Sequence, residues 1–433
     1  MTFSRREFCL LSAATLVAAP NRAHAEASET AYELVAHTDR KRILRLAAQW
    51  LPAQPDTITA HPSPRTPGGL HDFFSEADYF WPNPANPSGP YKEIDGKSNP
   101  DNFLEHRRVM IRLSQAVPAL TAAFLLTGRK DYARAAASHL LAWFVTPATR
   151  MNPNLEYSQG VRNGGATGRS YGIIDTLHLV EVARAAPFLR DAMTPAEYAA
   201  LQGWFREYLG WMKTSKKGIT ERDATNNHSI AWALQAAEFA RLAEDEATRN
   251  EIRERFLTVQ LPMQMAADGG FPRELARTKP YGYSIFNFDV ASALCWSLSS
   301  SPLTSKTTDG TGNMSSGIPL KGHGRRPTVS RREEIAADNE LGKLIRYTLP
   351  DGRGMCKAAS FLYPYLKDKS AWPYKQDVQH WESWPVREPG LLFCGLACSK
   401  PEYIALWKTL DPDPADPEII RNFPVRQPLL WVG

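Results

Sequence analysis

Apolar side chains recur at intervals of three and four residues along most of the chain. The first clear run consists of Val109, Leu113, Val117, Leu120 and Phe124. Similar runs occupy residues 132–143, 177–188, 198–212, 228–243, 248–265, 285–299, 333–347, 387–397 and 400–409. This period places apolar side chains on one face of an α-helix. The pattern predicts roughly ten successive helices and no run of alternating strands.

Two of these helix starts carry capping signals. Thr194-Pro195-Ala196-Glu197 has the spacing of a capping box with proline at the first helical position, and Ser399 stands three residues before Glu402. Successive amphipathic helices with short polar connections favour hairpin pairs stacked into a ring. We therefore predict an all-α fold of the α/α-toroid type, as a complete or incomplete barrel, with long ordered loops.

Two stretches break the helical pattern. Residues 52–102 are rich in proline, glycine and aromatic side chains, which favours a long ordered loop or lid. Residues 299–332 are rich in Ser, Thr, Gly, Lys and Arg, which favours a flexible insertion. We expect residues 26–433 to form a single toroid domain that carries this insertion.

Residues 1–25 have the organisation of an export signal. Adjacent Arg5 and Arg6 precede an apolar segment at 9–19, and Ala23-His24-Ala25 is a small-x-small cleavage site. The arginine pair is similar to a twin-arginine signal, although a chance pair in a general secretory signal would look the same. Either route predicts a bacterial protein that is periplasmic or secreted.

Composition excludes several classes of partner. The chain has 433 residues, of which 43% are hydrophobic and 22% charged, and removing a leader with three arginines and one glutamate lowers its net charge from +5 to +3. Nucleic-acid binding needs a higher and clustered positive charge. No apolar stretch after residue 25 reads as a membrane span. We expect a monomer that binds neither nucleic acid nor a membrane.

Cysteine usage argues against a metal site. Cys295, Cys356, Cys394 and Cys398 remain after the leader, without a CxxC or Cys/His ligand spacing. We expect no metal and no cofactor, and the disulfide pairing stays open.

Chemistry-bearing residues concentrate in three separate segments. Residues 71–91 hold many aromatic side chains between prolines, which would form platforms for sugar faces or plug one end of the toroid. Asn226-Asn227-His228-Ser229 stands at a predicted helix start, where Asn226 would be the cap. His228 is then either a buried structural histidine or a catalytic one.

The third segment, 271–287, contains Arg277 and Tyr283 at the rim of the next helix. Arg277 would alternatively pair with Glu274, three residues away, and Tyr283 would alternatively be a core ring. If Asn227, His228, Arg277 and Tyr283 converge, they suit β-elimination in a uronic-acid polymer, because hydrogen bonds to the carboxylate ease removal of the C5 proton.

These segments together resemble the alginate lyase family of polysaccharide lyases. The resemblance rests on the aromatic segment 74–91, on Asn226-Asn227-His228-Ser229 and on Arg273-Glu274-Leu275-Ala276-Arg277-Thr278 with Tyr283. It implies an α/α toroid in which Asn227 and Arg277 neutralise the uronate carboxylate of an anionic polysaccharide. It also implies that His228 and Tyr283 act as base and acid, with the order of the two left open.

Further residues are expected to bind the substrate on the same resemblance. They are Tyr79, Trp81, Tyr91, Arg273, His380 and Arg387. The segment Ser229-Ile230-Ala231-Trp232 departs from the family pattern, which places an aromatic pair directly after the serine. This departure indicates a divergent member, acting on alginate, polymannuronate or another polyuronate such as glucuronan.

Two other functions remain open. A glycoside hydrolase needs two carboxylates across the scissile bond, and candidates are Asp223, Asp268, Glu274 and Asp289. An exported polysaccharide-binding protein would use the aromatic segment without catalysis.

Overall fold

The computed structural model describes residues 29–299 and 342–433. The predicted leader and the predicted insertion from residue 300 onward lie outside the described residues. The longer helices are α1 (Ala31–Trp50), α2 (Glu105–Thr127), α3 (Lys130–Phe144), α4 (Leu179–Ala185), α5 (Pro195–Thr214), α6 (Lys216–Arg222), α7 (Asn227–Leu242) and α8 (Glu246–Arg255). They are followed by α9 (Leu261–Gln264), α10 (Pro272–Leu275), α11 (Pro280–Ser299), α12 (Lys343–Arg346), α13 (Met355–Lys367), α14 (Pro389–Ala397), α15 (Pro401–Thr409), α16 (Pro417–Arg421) and α17 (Leu429–Val432).

The helices form two layers, and the fold is the predicted α/α toroid. Helices α2, α7, α11 and α14 are buried on most faces and form the inner layer. Helices α1, α3, α5, α8 and α15 bury one face and pack outside them. The inner layer continues around the ring through successive contacts of α2 with α4, α4 with α7, α7 with α11 and α11 with α14.

Short helical turns complete the connections. Turns of 3₁₀ helix occupy Ile58–Ala60, Ser170–His178, Ala186–Ala192, Lys369–Ala371 and Trp381–Ser383. A π-helical turn, Phe256–Gln260, joins α8 to α9, so the predicted helical run at 248–265 is confirmed with one widened turn.

The long segment 52–102 is ordered and contains strands that the sequence did not predict. Strand β1 (Phe74–Glu76) pairs in parallel with β4 (Tyr157–Gly160), and β2 (Phe80–Trp81) pairs antiparallel with β3 (Lys92–Glu93). Each pair is too short to show an alternating apolar pattern, which explains why periodicity missed them.

Capping was predicted correctly at one helix and wrongly at another. Thr194 accepts from the Glu197 N–H and Glu197 reaches back to Thr194, so the capping box of α5 is confirmed. Helix α15 instead begins after Lys400, which makes no side-chain cap, and Ser399 has a positive φ of 54°. The Ser399 capping box was therefore wrong, because that residue belongs to the tight turn after α14.

Helix α2 also corrects the expectation that no apolar stretch after residue 25 is long enough to cross a bilayer. Its 23 residues are long and apolar enough to span one, and it is the one such helix in the described part of the chain. In the most apolar part of this helix, 72% is buried inside the protein, so packing in the core explains why the helix is apolar.

The cysteines are divided between a disulfide and the core. Cys356 on α13 is bonded to Cys398 after α14, and Cys295 and Cys394 are free and buried. The bond ties the C-terminal end of α14 to the start of α13.

A buried carboxyl pair lies between α11 and α14. Asp289 accepts the Gly390 N–H at 3.0 Å and Glu388 accepts the Val386 N–H at 3.0 Å. Burial raises the pKa of Asp289 to about 7, and burial with the neighbouring carboxylate raises the pKa of Glu388 well above its usual range. The folded state therefore holds these protons more tightly than the unfolded chain does.

We expect this pair to make stability pH-dependent. Its contribution is fully present below the unfolded pKa of 3.8 and is lost as the pH rises through about 7. Asp289→Asn cannot ionise, so its free energy of unfolding should fall less than that of the wild type between roughly pH 5 and pH 8. Urea unfolding of the wild type and of Asp289→Asn at these two pH values tests the expectation, and the surface variant Asp351→Asn is the control. An unchanged pH dependence in Asp289→Asn would contradict it.

Candidate active site

A polar cavity of about 350 Å³ opens where the inner helices α2, α7 and α11 meet the segment 74–95. Ligand sites of this size accommodate a small molecule or sugar unit. Asn227, His228, Arg277 and Tyr283 all line it, together with Tyr79. The four predicted catalytic residues therefore converge on one cavity, although two segments about fifty residues apart supply them.

The start of α7 divides its polar residues between capping and the cavity. Asn226 is the N-cap, and its side chain accepts the His228 N–H at 3.4 Å. Gln264 from α9 donates to the Asn226 carbonyl at 2.9 Å and to Ser229 Oγ at 2.8 Å, which braces the turn. Asn227 and His228 are thereby left to face the cavity.

Glu274 fixes the orientation of Asn227. Its Oε1 accepts the Asn227 N–H at 2.8 Å and its Oε2 accepts from Asn227 Nδ2 at 2.7 Å. The Glu274 side chain is only 1% exposed, and burial raises its pKa against the opposing effect of the Asn227 donors. Since an amide nitrogen has two N–H groups, one remains for a ligand.

His228 is backed by a second buried carboxylate. Its Nδ1 lies 2.5 Å from Glu221 Oε1, and Glu221 on α6 is buried. A carboxylate at Nδ1 stabilises the tautomer with the proton on that nitrogen, so Nε2 is the free lone pair. The ring also lies 4.9 Å from that of Tyr171, measured between centroids.

Arg277 and Tyr283, both expected at the rim of the next helix, are stacked on each other. The Arg277 guanidinium lies 3.9 Å from the centre of the Tyr283 ring and donates to Asp95 Oδ1 at 2.6 Å. Arg277 thus pairs with Asp95 rather than with Glu274. Burial raises the pKa of Tyr283, and the charge of Arg277 opposes this without outweighing it. The phenol therefore keeps its proton.

A network of ion pairs forms the wall behind Tyr283. The Tyr283 hydroxyl donates to Tyr79 Oη at 2.9 Å, and Arg421 on α16 donates to the same oxygen at 2.9 Å. Arg421 also pairs with Asp78 at 2.7 Å, and Asp78 binds Arg107 on α2. Because Tyr79 Oη accepts two hydrogen bonds, its own proton is available to another group.

The remaining predicted substrate-binding residues lie outside the lining of this cavity. Trp81 donates to the Lys97 carbonyl, and Tyr91 lies against Arg162. Arg273 is exposed on α10. His380 contacts Asp416 at 2.7 Å, and Arg387 pairs with Asp39 on α1 and covers the Trp407 ring. Tyr79 alone of that set contacts a catalytic candidate.

Several cavity residues were not predicted from the sequence. They are Asp78, Asp95, Arg107, Gln159, Arg169, Tyr171, Asp175, His178 and Arg421. They come from four separate parts of the chain, and none stands in a recognisable motif. Their only sequence signal is that Asp78 and Asp95 fall within the long loop predicted at 52–102.

The fold and the site together define a class of protein. A helical toroid with an amide, a carboxylate-backed imidazole, a guanidinium and a phenol around one cavity is a polysaccharide lyase of the α/α-toroid type. A family model described as alginate lyase matches residues 57–300, which is more than half of the chain and includes all four residues. The chain belongs to the alginate lyase family.

The chain is also similar to solved structures of alginate lyases. An alginate lyase from Bacteroides ovatus is 27% identical with a TM-score of 0.70, covering 91% of this chain and 93% of that one. Alginate lyase A1-III from Sphingomonas species A1 is 14% identical with a TM-score of 0.45, covering 85% and 86%. A search of curated proteins gives no match.

The contact between Asn227 and Glu274 can be tested through stability and turnover. Glu274→Ala leaves two buried donors of Asn227 without an acceptor, at about 1–3 kcal/mol each. Glu274→Gln keeps an acceptor oxygen for one donor, so its free energy of unfolding should lie between those of Glu274→Ala and the wild type. Both variants should lose activity because the amide is no longer held. Wild-type stability in Glu274→Ala would refute this role.

Proposed function

We propose that the protein cleaves a 1,4-linked uronic-acid polymer by β-elimination and leaves a 4,5-unsaturated uronate end. The observation that carries this proposal is the convergence of Asn227, His228, Arg277 and Tyr283 on one cavity, inside the segment that matches the alginate lyase family. The C5–H and C4–O bonds break, a C4=C5 double bond forms, and one proton moves to the enzyme while another moves to the leaving oxygen.

His228 is the proposed base and Tyr283 the proposed acid. The contact with Glu221 at Nδ1 supports His228 as base, because it leaves Nε2 free to accept a proton and stabilises the imidazolium that forms. Burial of Tyr283 supports the acid role, because a raised pKa keeps the phenol protonated until the leaving oxygen needs a proton. Tyr79 accepts the hydrogen bond of the Tyr283 phenol, and Arg421 holds Tyr79 in place through the same Tyr79 oxygen.

Asn227 and Arg277 are proposed to bind the carboxylate of the reacting sugar. The free N–H of the Asn227 amide and the remaining donors of the Arg277 guanidinium would stabilise the negative charge that moves onto the carboxylate as the C5 proton leaves. Asp95 and Glu274 hold these two groups before the substrate arrives, so little reorganisation accompanies the reaction.

A hydrolytic function finds less support. Asp78, Asp95 and Asp175 line the cavity, yet each accepts a hydrogen bond from a guanidinium group. Of the carboxylates considered from the sequence, Asp223 pairs with Arg255, Asp289 faces Glu388, and none lines the cavity. Glu93 also lines the cavity, where it is exposed. The described lining residues therefore offer no second carboxylate free of a guanidinium partner to stand across a glycosidic bond from it.

Replacing the proposed acid and base should abolish turnover without unfolding the protein. We expect Tyr283→Phe and His228→Ala each to lose roughly 10²- to 10⁴-fold in kcat, the usual contribution of general acid–base catalysis. The kcat of Glu221→Gln should fall less than that of His228→Ala, because the imidazole of His228 remains. Tyr347→Phe and His37→Ala, at exposed positions, are matched controls. Near-normal rates in both Tyr283→Phe and His228→Ala would overturn the assignment of acid and base to these two residues, whereas a binding protein would show no turnover in the wild type either.

The substrate can be identified by ultraviolet absorbance. Purified protein is incubated with polymannuronate, polyguluronate, alginate and glucuronan, and a lyase raises near-ultraviolet absorbance with every bond broken. We expect a rise with at least one polyuronate. New reducing ends without absorbance would instead identify a hydrolase.

We also propose that the enzyme acts after export. The Cys356–Cys398 disulfide supports this, because disulfides persist in oxidising compartments. Arg5→Lys together with Arg6→Lys should leave the precursor in the cytoplasm of the bacterial host, as seen by cell fractionation. Unchanged export would point to the general secretory route instead of the twin-arginine route.

A further inference from the structure

Arginine side chains in the cavity differ in how their charge is compensated. Four arginines line it, namely Arg107, Arg169, Arg277 and Arg421. Three of them form ion pairs, which are Arg107–Asp175, Arg277–Asp95 and Arg421–Asp78. Across residues 29–299 and 342–433, Arg169 has no carboxylate within ion-pair distance. It is therefore the one arginine in the described cavity lining that forms no ion pair.

Neutral groups hold Arg169 in a fixed position. Its Nε donates to the Gln159 carbonyl at 3.2 Å and its Nη2 donates to Gln159 Oε1 at 3.0 Å. The guanidinium lies 4.5 Å from the centre of the Phe80 ring and 5.1 Å from that of Tyr171. A guanidinium has five N–H donors, so the two bonds to Gln159 leave others directed elsewhere.

Burial without a counter-charge makes this position a site for an anion. Burial lowers the pKa of Arg169, and Glu93 and Asp175 counteract this only from a longer distance. A partly desolvated guanidinium gains from an incoming carboxylate, because the ligand supplies the charge-assisted hydrogen bonds that the protein does not.

Tyr171 links this cation to the proposed base. Its ring is 45% exposed, and it lies beside both the Arg169 guanidinium and the His228 imidazole. An exposed ring at this position offers a flat face to a sugar. Each uronate unit carries one carboxylate. The carboxylate of the reacting unit is already assigned to Asn227 and Arg277, so Arg169 is free to bind that of another unit.

We propose that Arg169 binds the carboxylate of the sugar next to the reacting one, while Tyr171 contacts that sugar's ring. The inference rests on the proposed function and extends it to a second sugar unit. It makes Arg169 a specificity-determining residue that selects polymers with consecutive uronates over polymers in which uronates alternate with neutral sugars.

Binding to a non-cleaving variant tests this proposal. Tyr283→Phe is titrated calorimetrically with tetramannuronate and with tetraglucuronate, alone and combined with Arg169→Gln or Arg169→Lys. Arg169→Gln should weaken binding of the preferred tetrasaccharide about 10- to 100-fold, the usual effect of losing a hydrogen bond to a charged group. Arg169→Lys should recover part of the affinity, because it restores the charge without the planar fork.

Arg206→Gln, at an exposed position on α5 outside the cavity lining, is the matched control and should bind as the parent does. Undiminished affinity in Arg169→Gln would overturn the inference. Equal losses of affinity in Arg169→Gln and Arg169→Lys would overturn it too, since they would show that Arg169 only supports the loop that carries Gln159.

Failure of the inference is distinguishable from failure of the proposed function. The titration needs no turnover, so it reports on Arg169 alone. If the wild type cleaves a polyuronate and Arg169→Gln still binds tightly, only the inference is wrong. If the wild type raises no absorbance with any polyuronate, the proposed function is wrong.

Discussion

The two hydrogen bonds between Asn227 and the buried Glu274 carboxylate join the two segments that supply the candidate site. They join the first turn of α7 to α10, which lies directly before Arg277 and the start of α11. Because α7 and α11 pack along their length as inner helices, this contact sets how their N-terminal ends face each other. Imidazole, amide, guanidinium and phenol are thus brought to one cavity by a carboxylate that touches only one of them directly.

Paired charges give the cavity its rigidity. Asp78 and Asp95 come from the long segment after α1, and they bind guanidinium groups of α2, α16 and the turn before α11. Each pair fixes a long side chain that would otherwise be free to rotate, so the polar groups are oriented before a substrate arrives. The same pairing offsets the positive charge of Arg107, Arg277 and Arg421 in the cavity.

The aromatic segment is divided between the core and the cavity. Phe73 and Phe74 are buried in the core, while Tyr79 reaches the cavity and bonds to Tyr283. Its rigidity comes from internal hydrogen bonds, such as those from Asn99 to the Phe80 carbonyl and from Asn102 to the Ala77 carbonyl. A segment held in this way places Asp78, Tyr79 and Asp95 in the lining, which makes the loop part of the cavity wall.

The sequence by itself determined the helical architecture, the family and the four residues that meet in the cavity. It also placed Asn226 at the cap, because helical periodicity and capping are local properties that a few neighbouring residues decide. Only the tertiary structure decided that Glu274 binds Asn227, that Asp95 is the partner of Arg277, and that Arg169 forms no ion pair with any carboxylate in the part of the chain that the structure describes. The partner of a charged side chain is chosen by the packing of segments far apart in the chain, and no spacing along the sequence encodes that choice.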